Sequence, residues 1–322
     1  MTVNLVWLVL GLVALYYGAE WLVGGSARLA RAAGITPLVI GLTVVAIGTS
    51  APELAVSLVA ALDGNSDVAL GNVVGSNIAN LGLILGLSAM VQPLPVDLRL
   101  IKRDLPAMVL AAIALTLLAI DDDISRLDGL FLLLGLGVYS VIMLRAARSD
   151  PVPVLQELEV FPVRAEPPVR VTRDVALVLI GLALLVAGGK LLVTAAIFFA
   201  RLMGVSDLVI GLTVVAIGTS LPELATSILA VARGHTDIAI GNVVGSNIMN
   251  ILCILGVTAT VRPLRADPGM IAFEMPIMIG ISLLLVPLAL RHLRIERWEG
   301  AVLLVSYLGF VVLLLQRSSG TG

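Results

Sequence analysis

Residues 41–80 read GLTVVAIGTSAPELAVSLVAALDGNSDVALGNVVGSNIAN, and residues 211–250 read GLTVVAIGTSLPELATSILAVARGHTDIAIGNVVGSNIMN. The two copies align without a gap at an offset of 170 residues, and residues 41–50 are identical to residues 211–220. Each copy places one glutamate, Glu53 or Glu223, in an apolar segment long enough to cross a bilayer. A charge at that depth is costly without a partner, so an intramembrane carboxylate predicts a functional site. The chain carries this feature twice.

The composition around the repeat is that of a polytopic membrane protein. The 322 residues are 59% hydrophobic and 13% charged, whereas soluble domains carry about 25% charged residues. Continuous apolar runs of about 20 residues predict membrane-spanning helices, not the alternating strands of a barrel. No basic tract indicates nucleic-acid binding, and no nucleophile–base arrangement indicates an enzyme. The single cysteine, Cys253, has no partner for an internal disulfide.

We predict ten spans in two sets of five. The first set lies near residues 3–27, 36–62, 68–91, 103–120 and 127–146, and the second near 173–199, 206–232, 238–261, 271–290 and 298–316. The segment 147–172 between the sets is rich in proline and charge, which is typical of a solvent-facing linker. The predicted organisation is a first transmembrane repeat over 1–146, a cytoplasmic linker over 147–172 and a second repeat over 173–322.

The positive charges are distributed unequally between the two sides of these spans. With this topology, 14 lysines and arginines lie on one side and 5 on the other, with Lys190 inside the sixth span. The positive-inside rule then places the linker in the cytoplasm and both termini outside the inner (plasma) membrane. Because each repeat has an odd number of spans, the second must enter the membrane from the opposite side. Such inverted repeats are typical of secondary transporters that bind substrate near the membrane midplane.

The segment around Glu53 has the chemistry of a cation site. Pro52 removes a backbone donor, which predicts a helix break around 46–50 that leaves carbonyls such as that of Ala46 facing a cation. Thr49 and Ser50 precede Glu53 by four and three residues, so both hydroxyls are predicted to share its helical face. The second copy repeats this arrangement at Ala216, Thr219, Ser220, Pro222 and Glu223.

The following span adds further oxygen atoms in each copy. Ser76 and Asn80 are four residues apart, as are Ser246 and Asn250, so each pair shares one helical face. Helix packing is an alternative role for the two serines. Together the copies supply carboxylate, hydroxyl, amide and carbonyl oxygens without a histidine or thiol, which favours Ca²⁺ or Na⁺. Two glutamates balance one divalent ion. The asparagines of the GNVVG stretches, Asn72 and Asn242, are expected to brace the site.

Other charged residues also recur at the 170-residue offset. Helix N-capping is the predicted role of acidic residues near the starts of spans, including Asp104 and Asp267. Glu20 and Lys190 occupy equivalent positions in the first and sixth spans, where they could pair or extend toward the membrane surface. The sequence assigns neither residue a functional role.

The paired segments GTSAPEL…GNVVGSNIAN and GTSLPEL…GNVVGSNIMN resemble the two alpha-repeats of the sodium/calcium exchanger family, within the cation/calcium antiporter superfamily. The resemblance extends over essentially the whole chain. It implies an all-α fold, Na⁺/Ca²⁺ antiport by alternating access without a cofactor, and Glu53 and Glu223 as ligands shared by both ions. It also implies metal ligands at Thr49, Ser50, Ser76, Asn80, Thr219, Ser220, Ser246 and Asn250, and at the carbonyls of Ala46 and Ala216.

At position 250 this chain differs from some members of the family that it resembles. Some archaeal and potassium-dependent relatives carry aspartate at the position of Asn250, whereas both copies here end in asparagine. We therefore predict exchange without a K⁺ requirement. Exchange of more than two Na⁺ for each Ca²⁺ would make it electrogenic, and a monomer is the expected oligomeric state. A proton/calcium antiporter of the same fold and a cation channel with a glutamate-lined pore are the alternatives.

Overall fold

The computed structural model describes residues 2–149, 170–203 and 216–320, and these residues are almost entirely helical. The helices of the first half are α1 (Thr2–Ala33), α2 (Pro37–Thr49), α3 (Ala51–Leu62), α4 (Ser66–Val91), α5 (Leu105–Leu118) and α6 (Arg126–Ser149). Those of the second half are α7 (Val171–Leu202), α8 (Ala216–Thr219), α9 (Leu221–Ala232), α10 (Thr236–Val261), α11 (Pro268–Ala272), α12 (Glu274–His292) and α13 (Arg297–Gly320).

Short π-helical turns recur along these helices. They lie at Gly41–Val45 within α2, Asn80–Leu85 within α4, Leu100–Asp104 before α5 and Asn250–Leu255 within α10. Such turns inside α-helices are frequent at functional sites. Two of them begin at the predicted ligands Asn80 and Asn250.

The predicted spans are matched in part. Among the described residues, seven helices are long and apolar enough to cross a membrane, or eight when α2 and α3, which meet at a 43° bend, are counted as one span. The predicted fourth span corresponds to the shorter helix α5. The predicted seventh span begins in residues 204–215, which lie outside the described part of the chain, as do residues 150–169 of the predicted linker. The protein is therefore a polytopic helical membrane protein.

Two short antiparallel ladders join the halves of the chain. Strand β1 (Leu94–Pro95) pairs with β4 (Arg294–Ile295), and β2 (Asp123–Ile124) pairs with β3 (Leu264–Arg265). Each ladder therefore takes one strand from either half. This exchange is the contact pattern expected of two related repeats that pack around a pseudo-two-fold axis.

Helices α4 and α10 form the centre of the protein. In the most apolar stretch of each helix, 78% of the residues of α4 and 94% of those of α10 are buried, against 22% for α1 and 28% for α7. Gly241 and Gly245 let α10 lie directly on α2, because a Cβ at Gly245 would lie 2.8 Å from the Cα of Leu42. The GNVVG stretch of the second copy thus brings the two halves into contact beside the first glutamate segment.

Helices α1 and α7 pack along one another at the periphery. A Cβ added to Gly18 would lie 2.9 Å from the carbonyl oxygen of Gly181, and one added to Gly181 would lie 2.7 Å from that of Gly18. Glycine therefore permits a backbone approach that no side chain would allow. Arg28 Nε contacts Asp174 Oδ1 at 2.8 Å across the same interface, and the Asp174 side chain is fully buried. The two helices form one firmly joined pair.

The capping predictions have different outcomes at the two acidic residues named for this role. Asp267 accepts a hydrogen bond from the backbone N–H of Met270 and caps α11, as predicted. The prediction for Asp104 is wrong. Its backbone is already helical where the preceding π turn runs into α5, and its carboxylate instead binds Arg103 at 2.8 Å and Tyr139 Oη at 3.1 Å. A continuous helix offers no free N–H at that point.

Candidate cation site

The helix breaks where the Thr-Ser-X-Pro sequence predicts. Helix α2 ends at Thr49, Ser50 has φ −82° and ψ 4°, and α3 begins with Pro52 in its first turn. Ser220 adopts nearly the same angles between α8 and α9. Proline fits a first helical turn because its missing N–H would have no intrahelical partner there. Each break places a glutamate in the first turn of the next helix, and Glu53 and Glu223 are each only 1% exposed.

One detail of the prediction is wrong at this break. The carbonyl oxygen of Ala46 is not left without a partner, because it accepts the Ser50 N–H at 3.0 Å and lies 3.4 Å from Thr49 Oγ1. The helix continues through Thr49 and bends only at Ser50, so the hydrogen bond from Ser50 N–H to Ala46 is kept. A carbonyl has a second lone pair, so this contact leaves coordination of a cation open. Ala216, its counterpart, is the first residue of α8.

The serines at the two breaks bind the glutamates crosswise. Ser50 Oγ donates to Glu223 Oε1 at 3.1 Å, and Ser220 Oγ contacts Glu53 Oε1 at 3.2 Å. Ser220 Oγ also lies 3.2 Å from Ser76 Oγ on α4. The sequence predicted that each serine would share the face of the glutamate in its own repeat. The bend at Ser50 and Ser220 instead directs each hydroxyl toward the opposite repeat.

Two asparagines brace the glutamates through their backbone carbonyls, in agreement with the prediction. Asn72 Nδ2 donates to the backbone carbonyl of Glu53 at 3.2 Å and to Ser57 Oγ at 3.0 Å. Its Oδ1 accepts the hydroxyl of Thr219, from the other repeat, at 3.3 Å.

The second repeat reproduces this brace. Asn242 Nδ2 reaches the carbonyl of Glu223 at 3.4 Å and Ser227 Oγ at 3.1 Å. Thr49 Oγ1 lies 3.1 Å from Asn242 Oδ1 and 3.1 Å from the carbonyl oxygen of Val45. The two threonines of the predicted ligand set therefore act, in this geometry, as links between a glutamate brace and the opposite helix.

The predicted amide ligands lie where α4 and α10 meet. Asn80 Nδ2 donates to Asn247 Oδ1 at 2.9 Å, and Asn250 Nδ2 donates to Asn77 Oδ1 at 3.0 Å. Sequence reasoning did not assign Asn77 and Asn247 to the site. Their signal was their place in the identical seven-residue stretches, three positions before the predicted ligands and on the same side of the helix.

Five buried oxygen atoms of the predicted ligands have no hydrogen-bond partner within the described part of the chain. They are Glu53 Oε2, Glu223 Oε2, Asn80 Oδ1, Asn250 Oδ1 and Ser246 Oγ. Burying such atoms unpaired costs about 1–3 kcal/mol each and more for a charged group. Carboxylate, amide and hydroxyl oxygens are the ligands that hard cations such as Ca²⁺ and Na⁺ prefer. The arrangement can therefore bind a cation through atoms that otherwise lack a partner.

Comparisons with known proteins give matches over most of the chain. The family model for the sodium/calcium exchanger protein matches residues 3–145 and 174–316. The sodium/calcium exchanger MaX1 of Methanosarcina acetivorans is 37% identical, over 98% of this chain and 99% of its own length. The inner membrane protein YrbG of Escherichia coli is 38% identical over 88% of both chains. The solved structure of the sodium-calcium exchanger NCX_Mj, soaked without Na⁺ and Ca²⁺, is 35% identical, with a TM-score of 0.84 over 97% of this chain and 99% of that one.

Proposed function

The chain belongs to the sodium/calcium exchanger family, and on that premise we propose that it exchanges Na⁺ for Ca²⁺ across the membrane. Its membership makes it a membrane antiporter of cations. Beyond that membership, we propose that Na⁺ is the coupling ion, that K⁺ is not required, and that each transport cycle moves net charge. If more than two Na⁺ move for each Ca²⁺, transport is electrogenic and responds to the membrane potential.

The observation that carries the proposal is the set of five unpartnered oxygens. Two of them belong to carboxylates, and no arginine or lysine contacts Glu53 or Glu223 among the described ion pairs. One Ca²⁺ or two Na⁺ would neutralise the pair. Two bare carboxylates are too costly to carry through a closed, dehydrated site. Occupancy by either ion would therefore be required for the change of access, which gives exchange and prevents leak.

The proposed ligand set is the one predicted from the sequence. The two glutamates would be shared by both ions, with the hydroxyl, amide and carbonyl oxygens distributing Na⁺ around them. Its members are Glu53, Glu223, Thr49, Thr219, Ser50, Ser220, Ser76, Ser246, Asn80, Asn250, Ala46 and Ala216. An amide at position 250 adds no negative charge to those of the two glutamates, which supports K⁺-independent exchange.

The proposed topology places this site between inverted halves. Ten spans, both termini outside and a cytoplasmic linker at 147–172 would follow from the charge distribution and the odd number of spans in each repeat. The exchange would occur at the inner (plasma) membrane, by a monomer whose halves complete the site between them. The joined pair α1 and α7 would slide against the remaining helices to open the site on alternate sides.

Calcium uptake into proteoliposomes tests the proposal. Vesicles loaded with Na⁺ are diluted into medium with or without Na⁺, and radioactive Ca²⁺ uptake is measured. Uptake that requires an outward Na⁺ gradient, and that is unchanged by K⁺, is the expected result. Uptake that ignores Na⁺ but follows an imposed pH gradient would replace the proposal by proton/calcium antiport. Calcium current without any counter-ion would replace it by a channel.

A further inference from the structure

Four buried asparagines join the two central helices. Asn77 and Asn80 lie on α4, Asn247 and Asn250 lie on α10, and each is at most 1% exposed. The 170-residue offset makes Asn77 equivalent to Asn247 and Asn80 equivalent to Asn250. Their side-chain hydrogen bonds run crosswise, from Asn80 to Asn247 and from Asn250 to Asn77.

The orientation of the Asn247 amide is fixed by an atom that only accepts hydrogen bonds. Asn247 Nδ2 donates to the backbone carbonyl oxygen of Asn77 at 3.3 Å and lies 3.6 Å from Met108 Sδ. Neither atom can donate a proton, so the amide nitrogen must face them. Asn247 Oδ1 then faces Asn80 and accepts its Nδ2 at 2.9 Å.

The Asn77 amide is oriented by the equivalent thioether. Asn77 Nδ2 donates to Met278 Sδ at 3.5 Å, and Met278 is the counterpart of Met108 at the same offset. Asn77 Oδ1 therefore faces Asn250 and accepts its Nδ2 at 3.0 Å. In both repeats the inner asparagine offers an acceptor to the proposed ligand on the other helix.

These hydrogen bonds also fix the direction of the amide oxygens of Asn80 and Asn250. Because the nitrogens of Asn80 and Asn250 are held, their Oδ1 atoms must point away, and these are the atoms that remain buried without a partner. We propose that Asn77 and Asn247 are positioning residues that turn the amide oxygens of Asn250 and Asn80 toward the transported cation. This inference rests on the proposed cation transport and extends it by two residues that would not touch the ion.

The network also favours an amide over a carboxylate at position 250. Asn77 Oδ1 needs a donor opposite it, and an aspartate there would bring two acceptor oxygens together. Asn77 could accommodate the change only by turning its amide, which would place its Oδ1 against Met278 Sδ. Asn250, on which the proposed independence of K⁺ rests, is thus the residue type whose N–H donor Asn77 requires.

A double-mutant cycle tests whether Asn77 acts through Asn250. The apparent KM for Ca²⁺ and kcat are measured in Na⁺-loaded proteoliposomes for Asn77→Ala, Asn250→Ala and the double variant. We expect Asn77→Ala alone to raise the KM roughly tenfold with a smaller change in kcat, as for groups that orient a metal ligand. In the Asn250→Ala background the same substitution should have little further effect, since residues in one network are not additive.

The matched control uses the neighbour that Asn77 does not orient. Asn77→Ala combined with Asn80→Ala should give additive effects on the KM, although Asn80 is on the same helix. Additive effects in both cycles would overturn the inference and leave Asn77 a packing residue. If the Asn77→Ala variant does not fold, the equivalent double-mutant cycle of Asn247 and Asn80 tests the same inference. Absence of Ca²⁺ transport in the wild type would instead refute the proposed function.

A separate observation concerns an ion pair at one edge of the helix pair α1 and α7. Glu20 on α1 binds Arg233 at the end of α9 with a separation of 2.5 Å, and Tyr16 Oη lies 3.4 Å from the same guanidinium. Both charged side chains are about one-third exposed. The contact ties α1 to the helix that carries Glu223.

The equivalent positions of the other repeat carry the opposite charges. The 170-residue offset turns Glu20 into Lys190 on α7, and Arg233 into Asp63 at the end of α3. A lysine and an aspartate could bind as the glutamate and arginine do, yet no ion pair joins them among the described residues, and both are exposed. Because inverted repeats face opposite sides of the membrane, the two pairs belong to opposite faces.

We infer that these pairs are alternating latches for the two access states. The Glu20–Arg233 pair would hold α1 against α9 while the site is open toward the opposite face. When the repeats exchange conformations, Lys190 would reach Asp63 and the first pair would open. Each pair then stabilises one state, and the near equality of two exposed ion pairs keeps both states accessible.

Side-specific transport kinetics test the latches. The apparent KM for Ca²⁺ is measured at each face in proteoliposomes of known protein orientation, and the ratio of the two KM values reports the balance between the access states. Loss of an exposed ion pair should shift this ratio roughly two- to fivefold. Glu20→Gln should lower the KM at the face of Arg233 relative to the other face, and Asp63→Asn should do the opposite.

Two further variants complete this experiment. The charge-exchanged variant Glu20→Arg with Arg233→Glu should restore the wild-type ratio. Glu296→Gln removes a comparably exposed pair with Arg294, remote from α1 and α7, and should leave the ratio unchanged. Shifts in the same direction for Glu20→Gln and Asp63→Asn, or no shift for Asp63→Asn, would refute the latches without affecting the cation site.

Discussion

Replacing Glu53 by glutamine should abolish exchange, and the size of the effect follows from the site. Glutamine keeps one oxygen but removes a charge whose Oε2 has no other partner. A Ca²⁺–oxygen distance of about 2.4 Å and an effective dielectric constant of about 20 give roughly 14 kcal/mol of lost attraction. Relief from burying the carboxylate returns several kcal/mol. Even a net loss of about 4 kcal/mol would weaken Ca²⁺ binding roughly a thousandfold.

The assay is Na⁺-driven Ca²⁺ uptake in proteoliposomes, with thermal unfolding to confirm that the variant is folded. Glu223→Gln should behave in the same way, because each carboxylate is buried and bound by one serine of the other repeat. Asp67→Asn is the matched control, since it removes one negative charge from the exposed start of α4. Wild-type uptake by folded Glu53→Gln protein would refute the assignment of the site.

Three further substitutions, with Gly280→Ala as a control, test the support of the site and of the fold. Asn72→Ala removes the amide that holds the Glu53 carbonyl, and we expect a roughly tenfold higher KM for Ca²⁺ in the uptake assay. Gly181→Ala should lower the free energy of unfolding by about 1–3 kcal/mol in thermal melts, because its Cβ would overlap α1. Gly280→Ala, with no described atom within 4 Å, should not destabilise the protein. Asp174→Ala leaves a buried arginine unpaired and should cost about 3–5 kcal/mol by the same measurement.

The duplicated stretch made much of the site predictable. The glutamates stood out because a charge in an apolar segment needs a reason, and Pro52 located the helix break within a residue or two. The braces at Asn72 and Asn242 followed from their place in the second motif. These features depend on the local sequence, on the internal repeat and on the apolar surroundings of the membrane. A single sequence is enough to recognise all three.

The partners of the polar side chains were not predictable in the same way. Helical spacing assigned Ser50 to Glu53, yet the bend in the backbone turns Ser50 toward Glu223. Likewise, Asp104 looked like a helix cap but lies within a continuing helix beside Arg103. Spacing rules assume an uninterrupted α-helix, and they fail where a π turn or a break changes which residues share a face.

The crosswise contacts have a consequence for how such a site can work. Ser50 binds the glutamate of the second repeat, Ser220 binds that of the first, and the asparagine bonds between α4 and α10 cross in the same way. The proposed ligands therefore come from both repeats. Under the proposed function the ions would be held at the interface of the halves, so a rearrangement of the surrounding helices could expose the same ligands to either side. Under the proposed mechanism, α1 and α7 can then move while the ligands themselves remain nearly fixed.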